Sequence, residues 1–308
     1  MSGQRPPVLV AGEALIDIVE RPGQAAVELP GGSCANVALA LGRLGWAPRL
    51  ATALGADARG DRLRTWLADS GVSVDAVVPP SGRTSTAAAV LDAGGAAHYE
   101  FDLSWALPRV DDSRYDALHV GSIASVLDPG ARDVGDLVHR VRRHALVSFD
   151  PNARPAITPD AAAARARVEE LVAVSDVVKV SDEDLGWYFP GVDPADAAAA
   201  WSALGPALVV VTRGGTGATV LRPGGVRLDV PGVPATVADT IAAGDTFTAG
   251  LLDALLTAGI HGPGSSARLS DLGDDAVTAA VRHAHAAAAI TVSRPGADPP
   301  TRAELGHP

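Results

Sequence analysis

Asp239-Thr-Ile-Ala-Ala-Gly-Asp-Thr-Phe-Thr-Ala-Gly250 is the stretch from which the rest of the chain can be read. Two acids, Asp239 and Asp245, bracket residues with little or no side chain. Ala242, Ala243 and Gly244 leave their backbone N–H groups bare, and an apolar run starts behind them. A bare turn at a helix N-terminus is an anion site, most naturally for phosphate, because unpaired N–H groups and the helix dipole point at the same place. A carboxylate at its mouth is positioned as a general base. The stretch therefore predicts phosphoryl transfer, with Asp245 deprotonating an acceptor hydroxyl. The helix behind it is expected over Thr246 to Ala258, with Phe247, Leu251, Leu252 and Leu255 on one side and Gly259 as its stop.

Far upstream, Pro30-Gly-Gly-Ser-Cys-Ala-Asn36 precedes a second apolar run that ends at Gly45. Gly31 and Gly32 allow a ligand to come close, and Asn36 can both donate to and accept from a hydroxyl. Between the two motifs, short apolar runs alternate with helical patterns. Pro7–Gly12, Arg49–Gly55, Asp116–Gly121, Leu146–Asp150, Asp176–Val180 and Ala207–Thr212 read as strands. Asp57–Ser70, Pro129–His144, Ala161–Val174, Ala195–Ala203 and Asp274–Ile290 read as helices. Thr84–Leu91 and Ala96–Leu103 alternate around Asp92-Ala-Gly-Gly95, a hairpin pattern, and Ala218–Leu221 with Gly225–Val230 reads as another. Antiparallel pieces inside a βαβ pattern form a side sheet, and Tyr99, Phe101 and Trp105 concentrate there. The run His261–Leu272 is rich in Gly, Ser and Pro and reads as surface loop.

Ligands of open parallel sheets lie beyond the carboxyl ends of strands. Asp17, the cluster Asp150-Pro-Asn-Ala-Arg154, and Arg213-Gly-Gly-Thr-Gly217 all fall in that position. Ser181-Asp-Glu-Asp184 reads either as a solvated helix start or as an outer hold on Mg²⁺.

The 308 residues carry a formal charge of −11, which argues against nucleic acid or an anionic membrane as partner. Lys179 is the only lysine, which leaves 24 arginines among 25 cationic side chains. One cysteine, Cys34, excludes an intrachain disulfide and suits a reducing cytoplasm. MSGQRPPVLV has no long apolar core for a signal peptide, and no stretch suits a transmembrane helix. There is no Gly-Lys-Ser/Thr of a Walker loop, no protein-kinase lysine setting, no Gly-x-Ser-x-Gly and no His-Glu-x-x-His. No Gly-x-Gly-x-x-Gly follows the first strand, which disfavours a dinucleotide oxidoreductase. His283 and His285 read as ordinary helix residues on different sides.

With these motifs the chain resembles the PfkB, or ribokinase-like, family of carbohydrate kinases. Gly31–Asn36 and Asp239–Phe247 carry the resemblance. Gly12–Asp17, Asp150–Arg154, Thr212–Gly217 and Arg294-Pro-Gly296-Ala agree with it in order along nearly the whole chain. It implies a three-layer α/β fold with a mostly parallel central sheet, in one kinase domain over 1–308. A small β-sheet lid from segments near 13–30 and 84–108 would cover the sugar. It implies ATP as donor, Mg²⁺, and K⁺ as the monovalent cation. It implies Asp245 as base and Ala242, Ala243 and Gly244 as anion hole. Asp17, Gly31, Gly32, Asn36, Tyr99, Phe101, Asn152 and Arg154 would face the sugar, and Trp105 belongs with the lid side chains. Lys179, Thr212, Gly214 and Gly217 would face the nucleotide. Asp184 or Glu183 would hold Mg²⁺ through water, although Ser181-Asp-Glu-Asp184 stands where relatives commonly have Asn-x-x-Glu. Asp239, the Ile241 carbonyl, Thr291 and Gly296 would hold the monovalent cation.

The acidic run and the Asp150–Arg154 segment are similar to those of fructokinases, so fructose is the expected substrate. Ribose, 2-keto-3-deoxygluconate and a nucleoside are the alternatives within the fold. A catalytically silent sugar-binding protein is the alternative outside the enzymes. An apolar lid face calls for cover, and a homodimer through the lid would supply it.

Overall fold

The computed structural model describes residues 5–20, 25–91 and 97–308. The chain starts with strand β1 (Val8–Ala11) and crosses at once into β2 (Leu15–Glu20) and β3 (Val27–Gly31). Helix α1 (Ser33–Arg43), β4 (Arg49–Ala53), α2 (Ala58–Ala68) and β5 (Ser73–Val77) follow. Then come β6 (Thr86–Leu91), β7 (Ala97–Asp102), β8 (Ala117–Gly121), α3 (Gly130–Val141) and β9 (Leu146–Asp150). Helix α4 (Ala161–Val172), β10 (Val177–Ser181), α5 (Asp182–Tyr188), α6 (Pro194–Ser202) and β11 (Leu208–Thr212) continue the alternation. The hairpin β12 (Gly217–Arg222) and β13 (Val226–Pro231) precedes α7 (Ala243–Thr257), α8 (Ser265–Ser270), α9 (Asp274–Val292) and α10 (Arg302–Leu305).

Two sheets result. The large one has nine strands in the order β13-β12-β11-β10-β9-β8-β1-β4-β5. It is parallel from β11 to β5 and antiparallel only across β11, β12 and β13. The small one runs β3-β2-β6-β7, with β2 and β6 parallel and the outer pairs antiparallel.

Strands buried on both faces read as unbroken apolar runs, as parallel strands covered by helices must. Val8 and Val10 of β1 pack into one apolar cluster with α1, α7 and α9. Leu9 and Ala11 of the same strand point into the other, with α3, α4 and α6. This alternation turns Ser148 and Asp150 of β9, and Lys179 of β10, toward the face that α7 covers.

Several expectations need correcting. Helix α7 is buried at every position from Asp245 to Leu256, not along one stripe, because α1 and α9 both pack against it. A Cβ on Gly250 would lie 2.9 Å from the Ala284 Cα, so the glycine lets α9 come close. The run His261–Leu272 is not all loop: it contains α8, which buries Leu269. Trp105 does not belong to the lid. It is 3% exposed, packs in the α3 cluster and abuts Gly130. His283 and His285 lie on different sides, as expected, but both are buried. The turn Asp92–Gly95 lies outside the described residues. No described helix is long and apolar enough to cross a membrane.

Candidate active site

Asp245 occupies the first turn of α7 and is 6% exposed. The chain enters that helix through Ala242, held left-handed at φ 58°. The Ala243 N–H turns back onto the Thr240 carbonyl at 3.2 Å; among the described residues no backbone partner is recorded for the Ala242 and Gly244 N–H groups outside the helix. Both oxygens of the Asp245 carboxylate are oriented. Oδ1 accepts from the Ser33 hydroxyl at 2.7 Å, and Oδ2 from the Asn36 amide at 2.8 Å. Asn152 Nδ2 lies 3.4 Å from Oδ1 and donates to Ser33 Oγ at 2.8 Å. Burial pushes the Asp245 carboxyl above the ordinary aspartate value, and Asp150 adds to the push, while the Asn36 and Ser33 donors and Lys179 oppose it. A carboxylate raised in this way is a better proton acceptor than a solvated one, and its geometry is fixed before a ligand arrives.

Two of the residues expected at the sugar, Asn36 and Asn152, meet the Asp245 carboxylate. Asn36 spends its donor on Asp245, while its Oδ1 is buried with no partner among the described residues. That oxygen is an acceptor available to a hydroxyl. Asp17 folds over Gly31 so closely that a Cβ there would lie 2.0 Å from Asp17 Oδ2. Gly32 has φ 102°, and a Cβ on it would meet the Glu13 carbonyl at 2.7 Å. Packing against β2 and the residues just before it therefore explains both glycines before any ligand is invoked. Burial pushes the Asp17 carboxyl up to about 6, opposed by Arg154 and assisted by Asp245. Arg154 closes on the Asn152 side chain at 2.6 Å and on two carbonyls, which stiffens the loop after β9. The register Asp17–Ala87–Phe101 puts Phe101 on the lid face that carries Asp17. The Tyr99 side chain lies outside the described residues.

The nucleotide and metal expectations divide. Lys179 is buried, with Nζ donating to Asp150 Oδ2 at 2.9 Å. Asp184 turns inward and accepts from the Ala153 N–H at 3.1 Å, because Ser181 caps α5 and fixes the phase of its first turn. Burial first, then Asp150, raises the Asp184 carboxyl. Glu183, one residue earlier on that helix, is exposed and is not brought to the site. Thr212 donates to the Val180 carbonyl at 3.4 Å. Gly214 lines an open turn. Gly217 is explained by the hairpin, since a Cβ there would lie 2.2 Å from the Val230 carbonyl oxygen.

The pfkB family carbohydrate kinase profile matches residues 7–304. The chain belongs to the pfkB family of carbohydrate kinases. It is 36% identical to a fructokinase of Rhizobium leguminosarum bv. trifolii over 263 residues, covering 80% of this chain and 79% of that one. It is 31% identical to fructokinase-1 of Oryza sativa subsp. japonica over 99% of this chain and 98% of the relative. Among solved structures it resembles an ATP-bound fructokinase of Xylella fastidiosa, with TM-score 0.87 and 28% identity over 98% and 97% of the two chains. A Vibrio cholerae O395 fructokinase in fructose-, ADP- and calcium-bound form gives TM-score 0.81 and 28% identity over 98% of each.

Within this pfkB kinase, three residues of the site were given no role by the sequence reading: Glu13, Ser33 and Thr248, all inside segments it quoted. Glu13 accepts from the Ser33 N–H at 3.1 Å and the Ala124 N–H at 3.3 Å, tying the start of α1 to the segment after β8. Burial pushes its carboxyl up to about 7. Asp150 is fully buried and accepts from both Lys179 and Thr248. The sequence reading places Asp150 at the site by its own signal, an acid ending an otherwise apolar strand.

Asp239, the second acid of the deciding stretch, has a different part. Its Oδ1 accepts from the Ile241 N–H at 3.0 Å and its Oδ2 from the Gly296 N–H at 2.8 Å. Burial opposes its ionisation, but these donors with Thr240 outweigh burial and hold the carboxyl below the usual range. Asp239 thus pins the turn before α7 to the segment after α9. The Thr291 hydroxyl is fully buried and bonded to Thr246 and to the Ala287 carbonyl, so its side chain is committed to packing.

Proposed function

We propose that this carbohydrate kinase transfers the γ-phosphoryl group of ATP to a primary hydroxyl of fructose, with Asp245 as general base. One observation carries the reading: a buried carboxylate at a helix N-terminus, with both oxygens oriented by Ser33 and Asn36, beside the lid residue Asp17. The fructokinase relatives support the choice of sugar.

The hydroxyl reaches Asp245 between Asn36 Oδ1, unpartnered among the described residues, and the Asp17 carboxylate, with Gly31, Gly32, Phe101, Asn152 and Arg154 around it. Asp245 takes its proton as the oxygen bonds to the γ-phosphorus, and ADP leaves. The Ala242 and Gly244 N–H groups stabilise charge spreading over the transferred group. Removing one preorganised donor of this kind typically costs about 2.7–4 kcal/mol. The phosphates of ATP extend toward Thr212 and Gly214.

The donors near the phosphates are hard carboxylate oxygens, which suit Mg²⁺. Asp184 would hold it through water. When bound, Mg²⁺ neutralises charge on the phosphates. K⁺ would belong beside Asp239, the Ile241 carbonyl and Gly296, where it would steady the turn that Asp239 already pins. Reliance on ATP and a single buried cysteine support a cytoplasmic enzyme. Val27 and Leu29, 45% and 40% exposed on the lid edge, support a homodimer through the lid.

ADP release over a panel of sugars and nucleosides, with Mg²⁺ and with or without K⁺, tests the proposal. Fructose should give the highest kcat/KM. Preference for adenosine would replace the sugar assignment, and sugar binding without ADP from any acceptor would remove the catalytic one.

A further inference from the structure

Lys179 is the one lysine in a chain that uses arginine at every other cationic position. It is also 4% exposed. The alternation of β10 points it under the start of α7, and Nζ bonds to Asp150 Oδ2 at 2.9 Å. The Thr248 hydroxyl of α7 meets the same carboxylate oxygen at 3.3 Å. A Cβ built on Gly244 would lie 2.9 Å from Nζ. The ammonium therefore rests against the backbone of the anion turn, and Gly244 is the residue type that lets it do so. A planar guanidinium is wider than an ammonium and does not fit this gap.

A cation beside a helix N-terminus is electrostatically the wrong way round. Here acids on three sides hold it. Burial alone would favour neutral lysine, but Asp150, Asp184 and Asp245 outweigh burial and raise its pKa. The other charged groups facing this centre do not cancel it. His119 of β8 is pushed down to about 4 by burial and stays neutral at neutral pH. Arg154 pairs with its own loop and acts on Asp17 and Asp184, while Asp17 of β2, raised to about 6 by burial, also faces Asp245. Two positive features, the N–H groups of the turn and the ammonium, thus meet at one short stretch of backbone.

We infer that Lys179 is a positioning residue for phosphoryl transfer: pinned by Asp150, it keeps positive charge against turn 242–244 and keeps Asp245 ionised, instead of ligating the nucleotide. This rests on the reading of Asp245 as base. It revises the expectation that Lys179 contacts ATP.

The test is Lys179→Met, assayed for the pH profile of kcat/KM with fructose and for the KM of ATP. The expected result is a fall in kcat of about 10²-fold, an acid limb moved to higher pH, and an ATP KM changed less than about twofold. An ATP KM raised with kcat and acid limb intact would make Lys179 a nucleotide ligand and overturn the inference. An unchanged profile would overturn it too. Should the single variant fail to fold, Asp150→Asn with Lys179→Met leaves no unpaired buried charge. That pair should show the low kcat with an acid limb near the wild-type position, since neighbours of opposite sign go together. Wild-type kcat in the pair would contradict the inference. Asp245→Asn is run alongside: if it keeps wild-type turnover, the base assignment fails, whatever Lys179→Met does.

Discussion

Ser33 contributes its hydroxyl to Asp245 and its N–H to Glu13, so one small residue ties the proposed base to a second buried acid. A hydrogen bond to a charged group is worth about 1.5–3 kcal/mol. Ser33→Ala should therefore lower kcat/KM by about ten- to a hundredfold. Its acid limb should move upward, because a donor that favours the carboxylate is gone; a pH–rate profile checks both. Glu13 gives a stability signature instead. Its folded carboxyl stands at about 7, above the ordinary value of 4.5. A raised carboxyl contributes stability that is full at pH below its ordinary value and is lost as the pH rises through about 7. The Tm of the wild type should fall from pH 5 to pH 8, and Glu13→Gln should flatten that fall whatever its baseline. Asp17, at about 6, adds a smaller slope of the same sign. These roles were not legible from residues alone. Asp245 could be singled out as a candidate because its motif carries its chemistry locally. Ser33 meets it across 212 positions of sequence, and no periodicity reports such a contact.

At the scale of elements, α7 is held at both ends. Its first turn carries Asp245. Two turns on, Asp253 is fully buried and accepts from Trp46 Nε1 at 2.7 Å, His283 Nε2 at 2.7 Å and Arg302 Nη1 at 2.8 Å. These partners come from the α1–β4 connection, α9 and α10, so one carboxylate joins four parts of the chain. Breaking a buried ionic centre from one side costs about 3–5 kcal/mol. Asp253→Ala should lose about that much stability, read as a lower urea midpoint. Elements with a strong period were legible: α1, α3, α7, α9 and the parallel strands β1, β4, β8, β9, β10 and β11 all lie where the apolar pattern puts them. The misses have a common cause. β3 contains Pro30 and exposes Val27 and Leu29, and β5 is a half-exposed edge, so neither shows a buried run. Helix α8 is only six residues long and hides in a glycine-rich stretch. Asp184 and Glu183 could be separated only once the Ser181 cap set the phase of α5.

At the scale of the molecule, the two motifs meet because β2 and β3 leave the central sheet for the lid and return through Gly32 into α1. The lid strands thereby end beside Asp245. The doubly wound sheet and the existence of a lid could be read from the alternation of patterns and from the resemblance. The pairing could not: β2 follows β1 in sequence yet joins the other sheet, alongside β6. Gly31→Ala should expose this link between lid and site. Its Cβ would displace the Asp17 carboxylate, so the KM for fructose should rise while that for ATP holds, as steady-state kinetics would show. The account rests above all on Asp245. The most direct measurement is turnover by Asp245→Asn, followed by ADP release, together with calorimetric titration of fructose and ATP. Both ligands should still bind, and turnover should fall by at least about 10²-fold, as loss of a general base requires. Retained turnover of more than a few per cent with normal binding would contradict the account.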